Sequence, residues 1–143
     1  MTYKLTSTTN VRLAWFNPSH SGNPAAGDYF TLTAGATNDL GITGSGSETL
    51  TFPPGTYALK ASIGGNKTTA SDNITYQWEF GGTLSGNIGG WDSSTNRKMS
   101  CECAEFVFTS STSSTLKLKC VSVSGASNTL VANASCVTVR GVS

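Results

Sequence analysis

Residues 51–65 read TFPPGTYALKASIGG, and this run limits what the chain can fold into more than any other. Pro53 and Pro54 have no amide hydrogen to give to a sheet ladder, and Gly55 accepts backbone angles closed to other residues. Beyond that corner Tyr57, Leu59, Ala61 and Ile63 alternate with Thr56, Ala58, Lys60 and Ser62. Two-residue alternation gives a strand with one buried and one wet face. The chain is therefore expected to turn sharply out of 50–52 and into a long central strand. None of these side chains is chemically reactive, so the run speaks for an architecture and not for an activity.

Other segments repeat the pattern. Val11, Leu13 and Trp15 alternate with Arg12, Ala14 and Phe16, and 29–33 forms a second strand. Ile74, Tyr76, Trp78 and Phe80 point one way, while Thr75, Gln77 and Glu79 point to water. Further strands are expected over 98–109, 115–123 and 136–142, with polar or glycine-rich connections at 17–28, 34–47, 64–72 and 81–96. If Phe106 and Phe108 face the core, parity sends Ala104 inward and Cys101, Cys103, Glu105 and Val107 outward. Leu116, Leu118 and Cys120 then face inward as well, as do Val137 and Val139 of the last strand, leaving Cys136, Thr138 and Arg140 on the opposite face. Were 104–109 and 115–120 one hairpin, Glu105 would oppose Lys119; a crossover between two sheets leaves the same facing.

About eight to ten short strands with turn signals between them and no helical period indicate an all-β fold, a two-layer antiparallel sandwich or jelly roll. At 143 residues the chain fits a single domain over 1–143, with the polar residues 1–10 as an N-terminal arm. Charged residues make up 12%, against roughly 25% in an average soluble protein. Net charge is +1 and no basic run exists, so the electrostatic footprint of a nucleic-acid binder is missing. No stretch approaches the roughly 18 apolar residues of a membrane helix, and no signal peptide is visible. The expectation is a protein made and folded in a cytosol, with neither nucleic acid nor membrane as partner.

Little here resembles a reactive site. Cys101, Cys103, Cys120 and Cys136 match no zinc-knuckle spacing, which leaves free thiols or one or two disulfides. Parity counts against a Cys103–Cys120 bond. The one histidine, His20, lies in the loop NPSHSGNP and would have to serve any serine or cysteine nucleophile as base. Among the acids no pair stands out at the spacing that glycoside hydrolysis needs. The expectation is no catalytic residue, no metal and no cofactor. Of the three tryptophans, Trp78 belongs to an inward-facing set. Trp91, in GGWDSSTN, is the candidate for an exposed platform that stacks on a sugar ring, with Asp92 and Asn96 as hydrogen-bonding neighbours.

The proline and glycine corner, the Gly-x-Tyr that follows and the small and apolar residues alternating behind it resemble the third strand of jelly rolls related to tumour necrosis factor and the complement globular heads. The similarity of pattern extends from Leu50 to Val142. Bacteriophage fibre tips and capsid-surface proteins use that module, often as a trimer. The resemblance implies a virion structural protein, a homotrimer that decorates or cements a phage capsid by binding the major capsid protein. The alternative is a carbohydrate-binding module or the receptor-binding tip of a fibre, with a host-surface glycan as partner. Ala14, Phe16, Ala58, Val107 and Val121 fall on outward parities, where a monomer ordinarily carries charge, and are expected between subunits. Three-fold symmetry then packs the sheet of the first, third and last strands about the axis and brings Cys136, Thr138 and Arg140 toward their symmetry mates.

Overall fold

The computed structural model describes residues 11–66, 73–93, 99–125, 129–130 and 135–142. Every regular element among them is a strand: β1 (Leu13–Ser19), β2 (Thr31–Asn38), β3 (Leu50–Phe52), β4 (Gly55–Ser62), β5 (Gly65–Asn66), β6 (Asn73–Phe80), β7 (Thr83–Ser93), β8 (Met99–Glu102), β9 (Ala104–Ser110), β10 (Ser114–Ser124), β11 (Thr129–Leu130) and β12 (Cys136–Gly141). They form two five-stranded antiparallel sheets in the orders β2-β1-β12-β4-β9, the front sheet, and β3-β10-β6-β7-β8, the back sheet. β5 and β11 pair as a small ribbon. The expected two-layer antiparallel sandwich is what the chain adopts.

The corner at Pro53 and Pro54 carries the chain from β3 in the back sheet to β4 in the front sheet. Neither proline is asked for a ladder hydrogen bond there, and the Tyr57 hydroxyl closes the corner by donating to the Pro53 carbonyl at 3.0 Å. Tyr57, Leu59, Ala61 and Ile63 are all buried, as the alternation requires. The same crossing recurs between β9 and β10, so Glu105 and Lys119 lie on different sheets and the hairpin alternative falls away. Glu105 stands opposite Lys60 on β4 instead, and Lys119 pairs with Glu79.

Between the sheets lie Phe16, Phe30, Leu32, Phe52, Leu59, Ile74, Tyr76, Trp78, Leu118, Val137 and Val139, each at most 2% exposed. Trp78 is the largest of the fully buried side chains. Its indole Nε1 donates to the Ala104 carbonyl at 3.2 Å, which ties β6 of the back sheet to β9 of the front. Phe80, Phe106 and Phe108 cluster below it with ring centroids 5.1 to 5.9 Å apart, a spacing at which aromatic pairs attract beyond their area burial.

Several expectations are corrected. The segment 81–96 is not a loose connection, since β7 is an eleven-residue strand within it. Its glycines permit close approach: a Cβ on Gly89 would strike the Ala104 amide nitrogen and come within 2.6 Å of the Tyr76 ring, and one on Gly86 would strike the Glu105 carbonyl. Opposite Gln77 the pairing of β7 slips, and the Asn87 amide turns across to β9. There it donates to the Cys103 carbonyl at 2.9 Å and accepts from the Glu105 amide at 2.8 Å. An amide side chain thus stands in for a neighbouring strand at the β9 edge.

β2 also runs further than its apolar content indicated, to Asn38, because β1 supplies its ladder partner. The facing of β1 is the reverse of the expected one: Ala14 and Phe16 are fully buried, and Val11, Leu13 and Trp15 are exposed. Register decides this, for Ala14 sits opposite Val139 and Phe16 opposite Val137, both in the core. Glu79, expected in water, is only 9% exposed. It accepts from the Tyr29 hydroxyl at 3.0 Å and from Lys119 Nζ at 3.1 Å, because the loop between β1 and β2 lies over that part of the back sheet.

Replacing Trp78 with alanine removes the largest buried side chain and the indole link to Ala104. The expected loss of unfolding free energy is about 3–5 kcal/mol, read by chemical denaturation. A loss below about 1 kcal/mol is what surface truncations give and would contradict this packing.

Candidate functional site

No reactive constellation is visible among the described side chains. His20 Nε2 lies 3.2 Å from Asp28 Oδ2, its Nδ1 lies 3.4 Å from the Gly22 carbonyl, and its ring meets Phe30 edge-on. The same Asp28 oxygen accepts from the Ala25 amide at 2.8 Å. These contacts close the loop between β1 and β2 on itself. The described residues hold no cluster of three or more histidine, cysteine or acidic side chains able to bind a metal ion.

What does stand out is the outer face of the front sheet. Strand register places side chains there in rows that run across the sheet. Leu13, Arg140, Ala58 and Val107 form one row over β1, β12, β4 and β9. Trp15, Thr138, Lys60 and Glu105 form the next. Val11 and Val142 continue the same parities just beyond the ends of β1 and β12, where the Gly141 amide still donates to the Arg12 carbonyl and the Val142 amide to the Thr56 carbonyl. Among the described residues seven large apolar side chains are exposed, and five of them (Val11, Leu13, Trp15, Val107 and Val142) belong to this face. Val107, at 65%, is the most exposed of all. Trp15 is half exposed and lies on Gly35 of β2, where a Cβ would sit 3.5 Å from its ring.

A shallow groove of about 400 Å³ runs between these rows, bounded by Leu13, Ala58, Lys60, Val107, Thr138 and Arg140 among others. Lys60 Nζ and Glu105 Oε1 are 3.4 Å apart, with both side chains more than half exposed. Such a pair is solvated and stabilises the fold little. Arg140 is exposed at the centre of its apolar row, and no carboxylate among the described residues lies within ion-pair distance of it.

The structure thus brings together four of the residues expected between subunits, Ala58, Val107, Thr138 and Arg140, with Cys136 half-buried at the far end of β12. It separates three others. Ala14 and Phe16 are core, for the register reason given above. Val121 lies on β10 of the back sheet and is half-buried. It is the extra residue where the pairing of β10 with β6 slips between Cys120 and Ser122, so alternation fails at that point. Leu13 and Trp15 were missed, and the signal for them was the parity of β12 carried across to β1. Of the glycan candidates, Trp91 and Asp92 lie on β7 with side chains outside the described residues, and Asn96 lies outside them altogether.

No protein-family model and no curated protein sequence matches the chain. Solved structures do. The crystal structure of murine APRIL at pH 8.5 superposes with a TM-score of 0.64 at 9% identity, covering 93% of this chain and all of that one. The murine APRIL structure at pH 8.0 gives 0.59 at 10% identity, with 92% and 100% covered. The fold is a jelly roll like that of tumour necrosis factor. At such identities the likeness concerns the path of the chain alone. In this jelly roll the front sheet carries the first, third and last of the strands recognised from sequence, now β1, β4 and β12.

Cys103, Cys120 and Cys136 are free thiols. Cys120 is fully buried, and burial, with the Asp28 carboxylate second, pushes its thiol up to about 11. Because the folded state holds this proton more tightly than the unfolded state, its contribution to stability is complete below about pH 9. It is lost as pH rises toward about 11. The melting temperature should therefore fall across that interval, and part of the fall should vanish in Cys120→Ala. At pH 8 a maleimide should label Cys136 in the native protein and leave Cys120 untouched, as mass spectrometry of digested peptides would show.

Proposed function

We propose that the chain is a structural protein of a virion surface. It acts as a homotrimer whose subunits meet through the outer face of the front sheet, decorating or cementing a capsid by binding the major capsid protein. One observation carries the assembly: the concentration of Val11, Leu13, Trp15, Val107 and Val142 on a single sheet face of a protein whose remaining surface is poor in charge and rich in serine, threonine and glycine. Exposed apolar area of this kind marks an interaction surface. The three-fold symmetry and the virion setting rest on the resemblance of the 50–142 pattern to jelly-roll modules of phage fibre tips and capsid-surface proteins. Absence of a reactive cluster among the described side chains is compatible with a structural role and decides nothing by itself.

One observation favours a second reading, glycan binding. Trp15 presents a half-exposed ring backed by Gly35, the kind of flat aromatic surface on which a sugar ring stacks. The two readings compete for the same face, since a trimer that buries the front sheet covers Trp15.

Sedimentation at micromolar concentration separates them. The trimer reading expects about three times the 14.8 kDa chain mass. It also expects Val107→Asp to weaken assembly by at least about tenfold while the thermal stability of the isolated chain stays within experimental error. A monomer at all concentrations that fails to bind capsids stripped of decoration, and whose Trp15 fluorescence responds to added oligosaccharide, would establish the second reading instead.

A further inference from the structure

Arg140 sets a condition that any trimer built on this face must meet. Its strand neighbours in the row are Leu13 and Ala58, with Val107 one strand further. Burying that row between subunits takes the guanidinium out of water. A guanidinium keeps its charge at any ordinary pH, and an unpaired buried charge is among the costliest features an interface can hold. No carboxylate of its own chain, among the described residues, is within ion-pair distance. A carboxylate of the neighbouring subunit would neutralise it.

Three-fold contacts are heterologous: each subunit offers two different patches, one to each neighbour. If Leu13, Arg140 and Ala58 form one patch, the other can be the β9 side of the sheet, and it must present a carboxylate. Four candidates have described side chains on the protein's exterior. Asp28 is engaged by His20 and by the Ala25 amide. Asp39 and Glu48 belong to the loop between β2 and β3, off the ordered sheet face. Of these four, Glu105 alone stands on the outer face of the front sheet, on its edge strand β9, with its side chain more than half exposed. Its partner Lys60 holds it only by an exposed contact of 3.4 Å, weak enough to be shared.

We infer that Arg140 of one subunit pairs across the trimer contact with Glu105 of the partner subunit. The guanidinium fork takes the two carboxylate oxygens together, a geometry a lysine does not reproduce. Lys60 remains beside the carboxylate, so the contact becomes a row of alternating charge, arginine, glutamate and lysine, set against the apolar side chains. Register between subunits follows from it, because sliding the partner by one residue along the face, about 3.3 Å, would carry Glu105 out of hydrogen-bond reach of the guanidinium.

This inference rests on the trimer reading above, and a charge-swap series distinguishes failure of the two. Sedimentation equilibrium would be run on the wild-type chain, Arg140→Glu, Glu105→Arg and the double variant carrying both changes, each checked for an unchanged near-ultraviolet circular dichroism spectrum. Each single variant should assemble at least about tenfold more weakly than wild type, and the double variant should recover to within about threefold. Arg140→Lys should fall between wild type and Arg140→Glu. Wild-type trimers whose double variant is no better than the sum of the single changes would overturn the pairing and leave the trimer standing. A wild-type monomer would overturn both.

Discussion

β12 is the strand on which the rest of the front sheet depends. It lies between β1 and β4 at the centre of five, and its Val137 and Val139 enter the core. Antiparallel pairing admits no freedom in facing once one strand is fixed, because a side chain opposite an inward residue is itself inward. Phe16 opposite Val137 and Ala14 opposite Val139 are therefore driven into the core. Leu13, Trp15, Thr138 and Arg140 are driven onto the outside with them. The apolar exterior face arises from this single constraint rather than from any local preference of β1.

The other side of the sandwich is organised differently. On the back sheet Lys117, Lys119, Gln77 and Glu79 point outward, and the loop between β1 and β2 is drawn over them. Phe30 donates its amide to the Leu118 carbonyl, and the Cys120 amide donates to the Asp28 carbonyl, so residues 27–30 run beside β10 where β3 ends. Lys117 Nζ sits 4.4 Å from the centre of the Tyr29 ring, while the Tyr29 hydroxyl donates to Glu79. Lys119 lies against both, and its ammonium is held charged more firmly than usual, chiefly by its hydrogen bond to Glu79. One face of the protein is closed by its own polar loop. The opposite face is left open, with Leu13, Trp15 and Val107 exposed among polar side chains.

Closure of the sandwich at the β7–β9 side explains a composition that reads as flexible. Gly86 and Gly89 sit where backbones of the two sheets nearly touch, and Asn87 supplies the edge hydrogen bonds that a further strand would otherwise make. Low side-chain volume there serves packing. The same closure leaves the outer face of β9 uncovered, with Val107 and Glu105 on it.

By itself the sequence determined the fold class, the corner at Pro53 and Pro54, and the facing of β4, β6, β9 and β12. In each of these the side chains of one parity are clearly more apolar than those of the other, and backbone geometry turns that difference directly into burial. It also placed Ala58, Val107, Thr138 and Arg140 on wet faces. Tertiary structure alone decided the facing of β1, where both parities carry an aromatic residue and the choice belongs to the neighbouring strand. It decided the break in alternation at Val121, which is a slip in pairing with β6, and the strand character of β7, whose glycines are specified by Tyr76 and the backbone of β9. Those contacts join residues far apart in the chain, and alternation along a single strand carries no record of its partner.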